Sequence, residues 1–360
     1  MTTRNQYMHN TFSVKRNHDG AWKQLIKQAL DFALAYYNSD ALSAGRVLDH
    51  PELIYGYRRF HPFRGVQLKL NVKFTSQRLR GKQPKTRVSK NIDLEIPLGT
   101  TEMRQMNIKD DVVHLVMPLS GKIHELRRFL NQFESVCGAS EQCDLLIILH
   151  DSEDLEQTVD LIEHSSYQHL IKIIRRVGSF SRAVALHKGM TTFSSDDLIW
   201  FIDVDIHFDA SVVDRIRQNT ILNTQVYFPI VFSQYDSQMV CGSDSCSVND
   251  QSSKAGSFRF FGFGIVSLYK SDYLKCGGFD LSIRGWGKED VDLYTKVLKS
   301  GLTAYRAPDP GITHIYHPKI CDSSLNADQT TMCLNSKATS FASQPVLASL
   351  YFNLTKELVL

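Results

Sequence analysis

An α/β fold built on a mixed, mostly parallel sheet flanked by helices is predicted for the greater part of this 360-residue chain. Two observations predict it. From Asp111 onward, short β-rich runs alternate with helix-patterned ones, the arrangement that builds βαβ units. One of those runs, Leu198 to Ile202, is apolar at every position, as a strand buried on both faces should be.

Ahead of the alternation, Trp22, Leu25, Ile26, Ala29, Phe32, Ala33 and Tyr36 recur at helical spacing and predict an amphipathic helix. A basic run follows, with Lys69, Lys73, Arg78, Arg80, Lys82, Lys85, Arg87 and Lys90. It reads either as a solvated face or hairpin or, more sharply, as a docking surface for an acidic polymer. Residues 1–108 are thus expected to form a helical and basic extension. The main domain, 109–345, opens with the strand VVHLVMPL. The helix KIHELRRFLNQFESV, strand CDLLIILH, helix SEDLEQTVDLIEHSSYQ, strand IKIIRRV and helix SFSRAVALHKGMTTF then lead to Leu198. After that strand come a helix over 210–220, a strand VYFPIVFS, and a polar loop from Gln234 to Ser257 of the length that lids and binding loops have. In FRFFGFGIVSLYK, Gly262 and Gly264 would weaken a strand unless something approaches its backbone closely. Residues 277–301 join a glycine-rich loop to a helix, and 346–360 are expected as a C-terminal tail.

Composition excludes several classes. The chain is 42% hydrophobic and 22% charged, ordinary for a folded protein, and its net charge of +3 is too small for a nucleic-acid binder. The stretch LIKQALDFALAYY is interrupted by Lys27, Gln28 and Asp31 and falls short of the roughly 20 apolar residues that span a bilayer. No signal peptide is visible at MTTRNQYMHN, so the expectation is either a cytosolic chain or one whose targeting segment is missing from this sequence. Seven cysteines include no Cys-x-x-Cys, which argues against a zinc ribbon or a thioredoxin-type motif. Cys137/Cys143, Cys241/Cys246 and Cys321/Cys333 would pair in an oxidising compartment and remain thiols in a reducing one.

Chemistry concentrates in three places. Asp203 and Asp205 fall at the C-terminal edge of the Leu198–Ile202 strand, where open α/β sheets bind ligands. A carboxylate there suits a hard cation bridging phosphate oxygens; a turn followed by a helix capped at Asp209 is the plainer reading. Glu289, Asp290 and Asp292 fall in the first turn of a helix, where the macrodipole alone favours acids. It does not explain Gly285-Trp286-Gly287, because a large aromatic between two permissive residues costs backbone entropy; a tryptophan face suits a sugar ring, and a glycine-flanked loop suits closure over a substrate. His314 and His317 would point to opposite faces of a strand, so joint ligation needs a turn, which Pro318 favours. With a carboxylate they would make a mixed nitrogen and oxygen site of the kind that suits manganese.

The order Asp-Val-Asp, then Trp-Gly-Lys-Glu-Asp-Val-Asp-Leu, then His-Ile-Tyr-His resembles the beta-1,4-galactosyltransferase and chondroitin N-acetylgalactosaminyltransferase group of GT-A glycosyltransferases. It is most similar to the C-terminal catalytic domain of chondroitin sulfate synthases. VYFPIVFSQYD, FGFGIVSLYKSD, HIYHPKICDSSLNADQTTMCLNSKA and, upstream, YGYRRFHPFRGVQLKL share the resemblance, which runs from residue 50 to 345. It implies a GT-A, Rossmann-like fold. The implied reaction is an inverting, metal-dependent transfer of GalNAc from UDP-GalNAc to a glucuronic-acid-terminated acceptor in chondroitin sulfate biosynthesis. Residue by residue, the likeness gives Asp205 and His317 to manganese or another divalent ion, with His314 where galactosyltransferases have methionine. Asp203 goes to the sugar-nucleotide side, and Pro118, Ser120, Phe180 and Arg182 match positions that line the nucleotide pocket. Asp290 matches the catalytic base, Glu289 an acceptor-binding acid, and Trp286 the mobile-loop tryptophan. Val291 departs from the third acid of galactosyltransferases, as chondroitin-type members do.

Full-length synthases of this kind carry a membrane anchor and a second, glucuronyl-transferring domain, and the resemblance implies the Golgi as compartment. The chain is therefore expected to be either a single-domain transferase or part of a longer one. Three alternatives compete. One is a related GT-A transferase using UDP-galactose or UDP-glucuronic acid. Another is a non-catalytic polymerising partner in a hetero-oligomer with another chondroitin synthase subunit, against which the intact Asp203, Asp205, Glu289, Asp290 and His317 speak. The third is a metal-dependent hydrolase.

Overall fold

The computed structural model describes residues 5–7, 15–17, 20–80, 84–99, 108–138, 142–241, 247–283, 287–323 and 325–358. The chain divides into two compact units, Met1–Gln105 and Met106–Leu360.

In the first unit a two-stranded pair, β1 (Asn5–Tyr7) and β2 (Lys15–Asn17), precedes α1 (Gly20–Ser43). An antiparallel meander follows: β3 (Arg46–His61), β4 (Gly65–Arg78) and β5 (Thr86–Ile96). Ile26, Ala29, Leu30 and Ala33 of α1 share a core with Leu68, Leu70, Val72 and Phe74, the alternate inward positions of β4. Phe32 and Tyr36, on the flank of that helical row, stay 61% exposed, so the predicted stripe is only partly buried. Strand alternation also splits the basic run. On β4 Lys69 is exposed and Lys73 half-buried, with Asp93 3.9 Å from Lys69 and Glu52 the register partner of Lys73. Lys90 instead sits 5.3 Å over the Tyr37 ring. Charges of both signs therefore share the outer face.

The second unit begins with β6 (Val113–Leu119), α2 (Ile123–Phe133), a π-type turn (Glu134–Gly138), β7 (Cys143–His150), α3 (Leu155–Glu163), β8 (Ile171–Arg176), α4 (Arg182–Met190) and β9 (Leu198–Phe201). This is the predicted βαβ alternation. It continues through β10 (Ile206–Phe208), α5 (Ser211–Asn219), β11 (Gln225–Tyr227), β12 (Ile230–Gln234), α6 (Ser237–Val240), β13 (Gly256–Phe258), β14 (Val266–Tyr269) and α7 (Lys270–Lys275). Last come α8 (Glu289–Lys299), β15 (Thr303–Tyr305), β16 (Pro308–His314), α9 (Ala327–Phe341) and α10 (Gln344–Leu358).

The main sheet runs β15-β11-β14-β9-β6-β7-β8, and a second sheet runs β10-β16-β12-β13. In the main sheet β9, β6, β7 and β8 are mutually parallel, while β14 is antiparallel to both neighbours. Val113, Leu115, Met117 and Leu119 of β6 pack with Leu126, Phe129, Leu130 and Phe133 of α2. Val116, on the other face, packs with Ala183, Leu186 and Met190 of α4. Burial on both faces is what makes these strands read as unbroken apolar runs.

Two predicted strands are each divided between the sheets. VYFPIVFS breaks at Pro229, which has no N–H to give a ladder; β11 lies in the main sheet and β12 in the second. FRFFGFGIVSLYK likewise breaks into β13 and β14, joined through Gly262 at φ +134°, a conformation open to glycine. Of the residues expected as a tail, 346–358 belong to α10 and the last two lie outside the described residues. Disulfides join Cys137 to Cys143 and Cys321 to Cys333, whereas Cys246 lies outside the described residues. Among the described residues no helix is long and apolar enough to cross a membrane.

Candidate active site

The site begins where β9 leaves the main sheet. β9 pairs with β6 as far as Val116↔Phe201, and the Ile202 N–H then donates to the Val116 carbonyl at 3.1 Å. Two residues further along β6, Pro118 faces the same neighbour without an N–H to offer, so the ladder ends. Asp203 and Asp205 lie in the departing segment. Pro118 is buried and Ser120 half-buried at this same edge.

Sheet register places the histidines. β10 pairs with β16 at Ile206↔His314, and the Ile315 N–H donates to the Asp205 carbonyl at 2.9 Å. His314 Nε2 consequently lies 3.8 Å from Asp205 Oδ1. The chain leaves β16 after His314, and beyond the ladder His317 Nε2 comes to 3.1 Å from Asp205 Oδ2. One donor atom from each of Asp205, His314 and His317 falls within a 4.8 Å group.

Asp205 is only 7% exposed, and its Oδ1 is buried without a hydrogen-bond partner among the described residues. Burial opposes its charge, but His314, the hydrogen bond from His317 and Lys122 hold the carboxyl well below the usual carboxylate range. Burial pushes His314 down to about 4 against the pull of Asp205, so at neutral pH it is the uncharged imidazole that ligates metals. Lys122 and the His317 hydrogen bond are the contributions that persist once His314 is neutral. His317 Nδ1 lies 3.2 Å from the Pro318 carbonyl, which only accepts, so Nδ1 donates there and Nε2 is the ring nitrogen left to face Asp205. The buried unpartnered oxygen and two imidazole nitrogens fit a divalent ion.

Lys122 escaped the sequence reading. Its ammonium stands 3.6 Å from Asp205 Oδ2, and it holds the N-cap of α2 at φ +66°, an unusual backbone for a residue with a side chain. The available signal was Ser120-Gly121-Lys122, a glycine-flanked lysine ending the first strand of the domain at the sheet edge where Asp203 was already expected.

Asp203 faces the other way. Arg182, the first residue of α4, donates from Nε to Asp203 Oδ1 at 2.9 Å and from Nη2 to the Gly264 carbonyl at 2.9 Å. Its Nη1 lies 3.9 Å from Glu289 Oε1. Burial works against the Arg182 charge, but Asp203, Glu289 and Asp290 outweigh it and raise its pKa above the ordinary arginine value. Glu289 is 8% exposed, and burial pushes its carboxyl up against the pull of Arg182. The half-buried Asp290 accepts from the Phe263 N–H at 3.0 Å through Oδ2 and from its neighbour Val291 at 2.9 Å through Oδ1. Asp292, the third acid of that turn, pairs with Lys296 at 2.7 Å. Phe180 is 51% exposed, and its ring stands edge-on to His150 with centroids 5.0 Å apart. Trp286 lies outside the described residues.

A family model described as chondroitin N-acetylgalactosaminyltransferase matches residues 1–347. Chondroitin sulfate synthase 3 of Homo sapiens is 36% identical over 91% of this chain and 43% of its own length. Chondroitin sulfate N-acetylgalactosaminyltransferase 1 of Homo sapiens is 32% identical over 71% of this chain and 50% of its own. The chain thus spans half or less of the length of these relatives. Among solved structures, GalNAc-T7 with UDP, GalNAc and Mn2+ aligns at 14% identity and a TM-score of 0.45, over 62% of this chain and 47% of that one.

Proposed function

The chain belongs to the chondroitin N-acetylgalactosaminyltransferase family, and from that premise we propose that it transfers GalNAc from UDP-GalNAc to the terminal glucuronic acid of a chondroitin acceptor, with inversion. The observation that carries this reading is the link made by Arg182. It ties Asp203, two residues from the cation-type cluster, to Glu289, next to Asp290, so the two acidic motifs form one connected site.

Asp205, His314 and His317 would hold a divalent cation, manganese by the balance of nitrogen and oxygen donors. When bound, such an ion supplies charge stabilisation to the departing diphosphate. Lys122 adds positive charge at the same place. Arg182 fixes the Asp203 carboxylate on the sugar-nucleotide side. Asp290 accepts the proton of the acceptor hydroxyl as that oxygen bonds to the anomeric carbon and the carbon–oxygen bond to the diphosphate breaks on the opposite face. Glu289 serves to orient the acceptor. The Golgi lumen is the compartment this reading implies, and the Cys137–Cys143 and Cys321–Cys333 disulfides suit an oxidising one.

The test is UDP release by purified protein with manganese, a panel of UDP-sugars and a chondroitin oligosaccharide ending in glucuronic acid. Release with UDP-GalNAc alone is expected. Release with UDP-galactose or UDP-glucuronic acid instead, or with no donor, overturns the reading.

A further inference from the structure

The segment between β13 and β14, residues 259–265, connects two different sheets and has no ladder to set its shape. It nevertheless supplies two contacts to the site: the Phe263 N–H reaches Asp290, and the Gly264 carbonyl takes Arg182. Arg306, after β15, holds this segment from behind. Its Nη2 donates to the Phe260 carbonyl at 2.7 Å and its Nη1 to the Gly262 carbonyl at 3.3 Å. The guanidinium carbon lies 4.3 Å over the Phe263 ring, which in turn stacks on Tyr294 with centroids 4.2 Å apart and planes 27° apart. Tyr294 belongs to α8, one turn beyond Asp290.

We propose that Arg306 is a positioning residue for Asp290: one planar cation fixes both carbonyls and the ring of the segment whose amide aims the carboxylate. The proposal rests on the reading of Asp290 as the base. Two carbonyls at right spacing for a fork, with an aromatic face beneath it, suit guanidinium and not ammonium, since lysine has neither the fork nor the flat surface. Gly262 at φ +134° lets its carbonyl turn toward Arg306. Without the clamp the Phe263 amide would lose its fixed direction, and small displacements of a reacting group cost rate out of proportion to their size.

The experiment compares the full chain with Arg306→Lys, Arg306→Ala and Asp290→Asn. It measures kcat, the KM for donor and acceptor, manganese-dependent UDP affinity, and Tm. Both Arg306 variants are expected to lower kcat by about tenfold to a hundredfold. UDP affinity and Tm should stay close to the parent, and millimolar guanidinium should restore Arg306→Ala but not Asp290→Asn. Unchanged kcat in both Arg306 variants overturns the proposal. So does a fall in kcat matched by equal losses of UDP affinity and Tm, with no guanidinium rescue, which is the pattern of a purely structural arginine. Asp290→Asn at the parental rate overturns instead the assignment of the base, and the two failures are thereby told apart.

Discussion

Asp205→Asn keeps the side chain's size and removes its charge. The carboxylate it replaces stands 3.1 Å from His317 Nε2 and 3.8 Å from His314 Nε2. One substitution therefore removes the anionic donor of the three. Loss of an outer partner to a ligand weakens metal affinity by about 10- to 100-fold, so about a hundredfold is the floor here. At manganese one hundred times the parental Kd, linkage adds about 2.7 kcal/mol to the parent and about 0.4 kcal/mol to the variant. For a unit of this size, that is a manganese-induced rise in Tm of about 5–10 °C against about 1 °C. Thermal unfolding with and without manganese reads the difference directly. Equal shifts in the two proteins would refute the ligand role of Asp205.

Asp290→Asn should abolish transfer while UDP binding persists; loss of both together would mean structural damage instead. Asp309→Asn should cost about 3–5 kcal/mol by urea unfolding. Its wholly buried carboxylate accepts from Arg215, Tyr227 and Gly311, and a loss below 1 kcal/mol would contradict that network. Burial raises Glu289 above its unfolded value, so the folded chain holds that proton longer, and this carboxyl's stabilising contribution is lost as pH rises through its folded range. Glu289→Gln should flatten that decline in urea midpoints measured on either side of the range; an unaltered slope counts against the assignment.

Much of the second unit was legible because burial on both faces leaves a plain mark. CDLLIILH became β7 at Cys143–His150, and Leu198–Phe201 became β9. The divided strands were harder, since Pro229 and Gly262 signal a break without saying that the chain changes sheets there. The candidate ligands were readable as residue types, but their meeting depends on the Ile206↔His314 register, a pairing across more than a hundred residues that no local pattern encodes. Lys122 and Arg306 were harder to read for a related reason. A single cation in a loop looks like solvated charge until the fold shows a carboxylate beside the one and two carbonyls beneath the other.

His314 sits on a strand with neighbours on both sides, antiparallel β10 through Ile206 and parallel β12 through Ser233. The imidazole is thus mounted on an interior beam rather than on a rim that is free to flex. Metal preference becomes separable from architecture. A thioether or a carboxylate exchanged at that one position would retune the ion the site selects while the backbone carrying it stays where the flanking strands hold it.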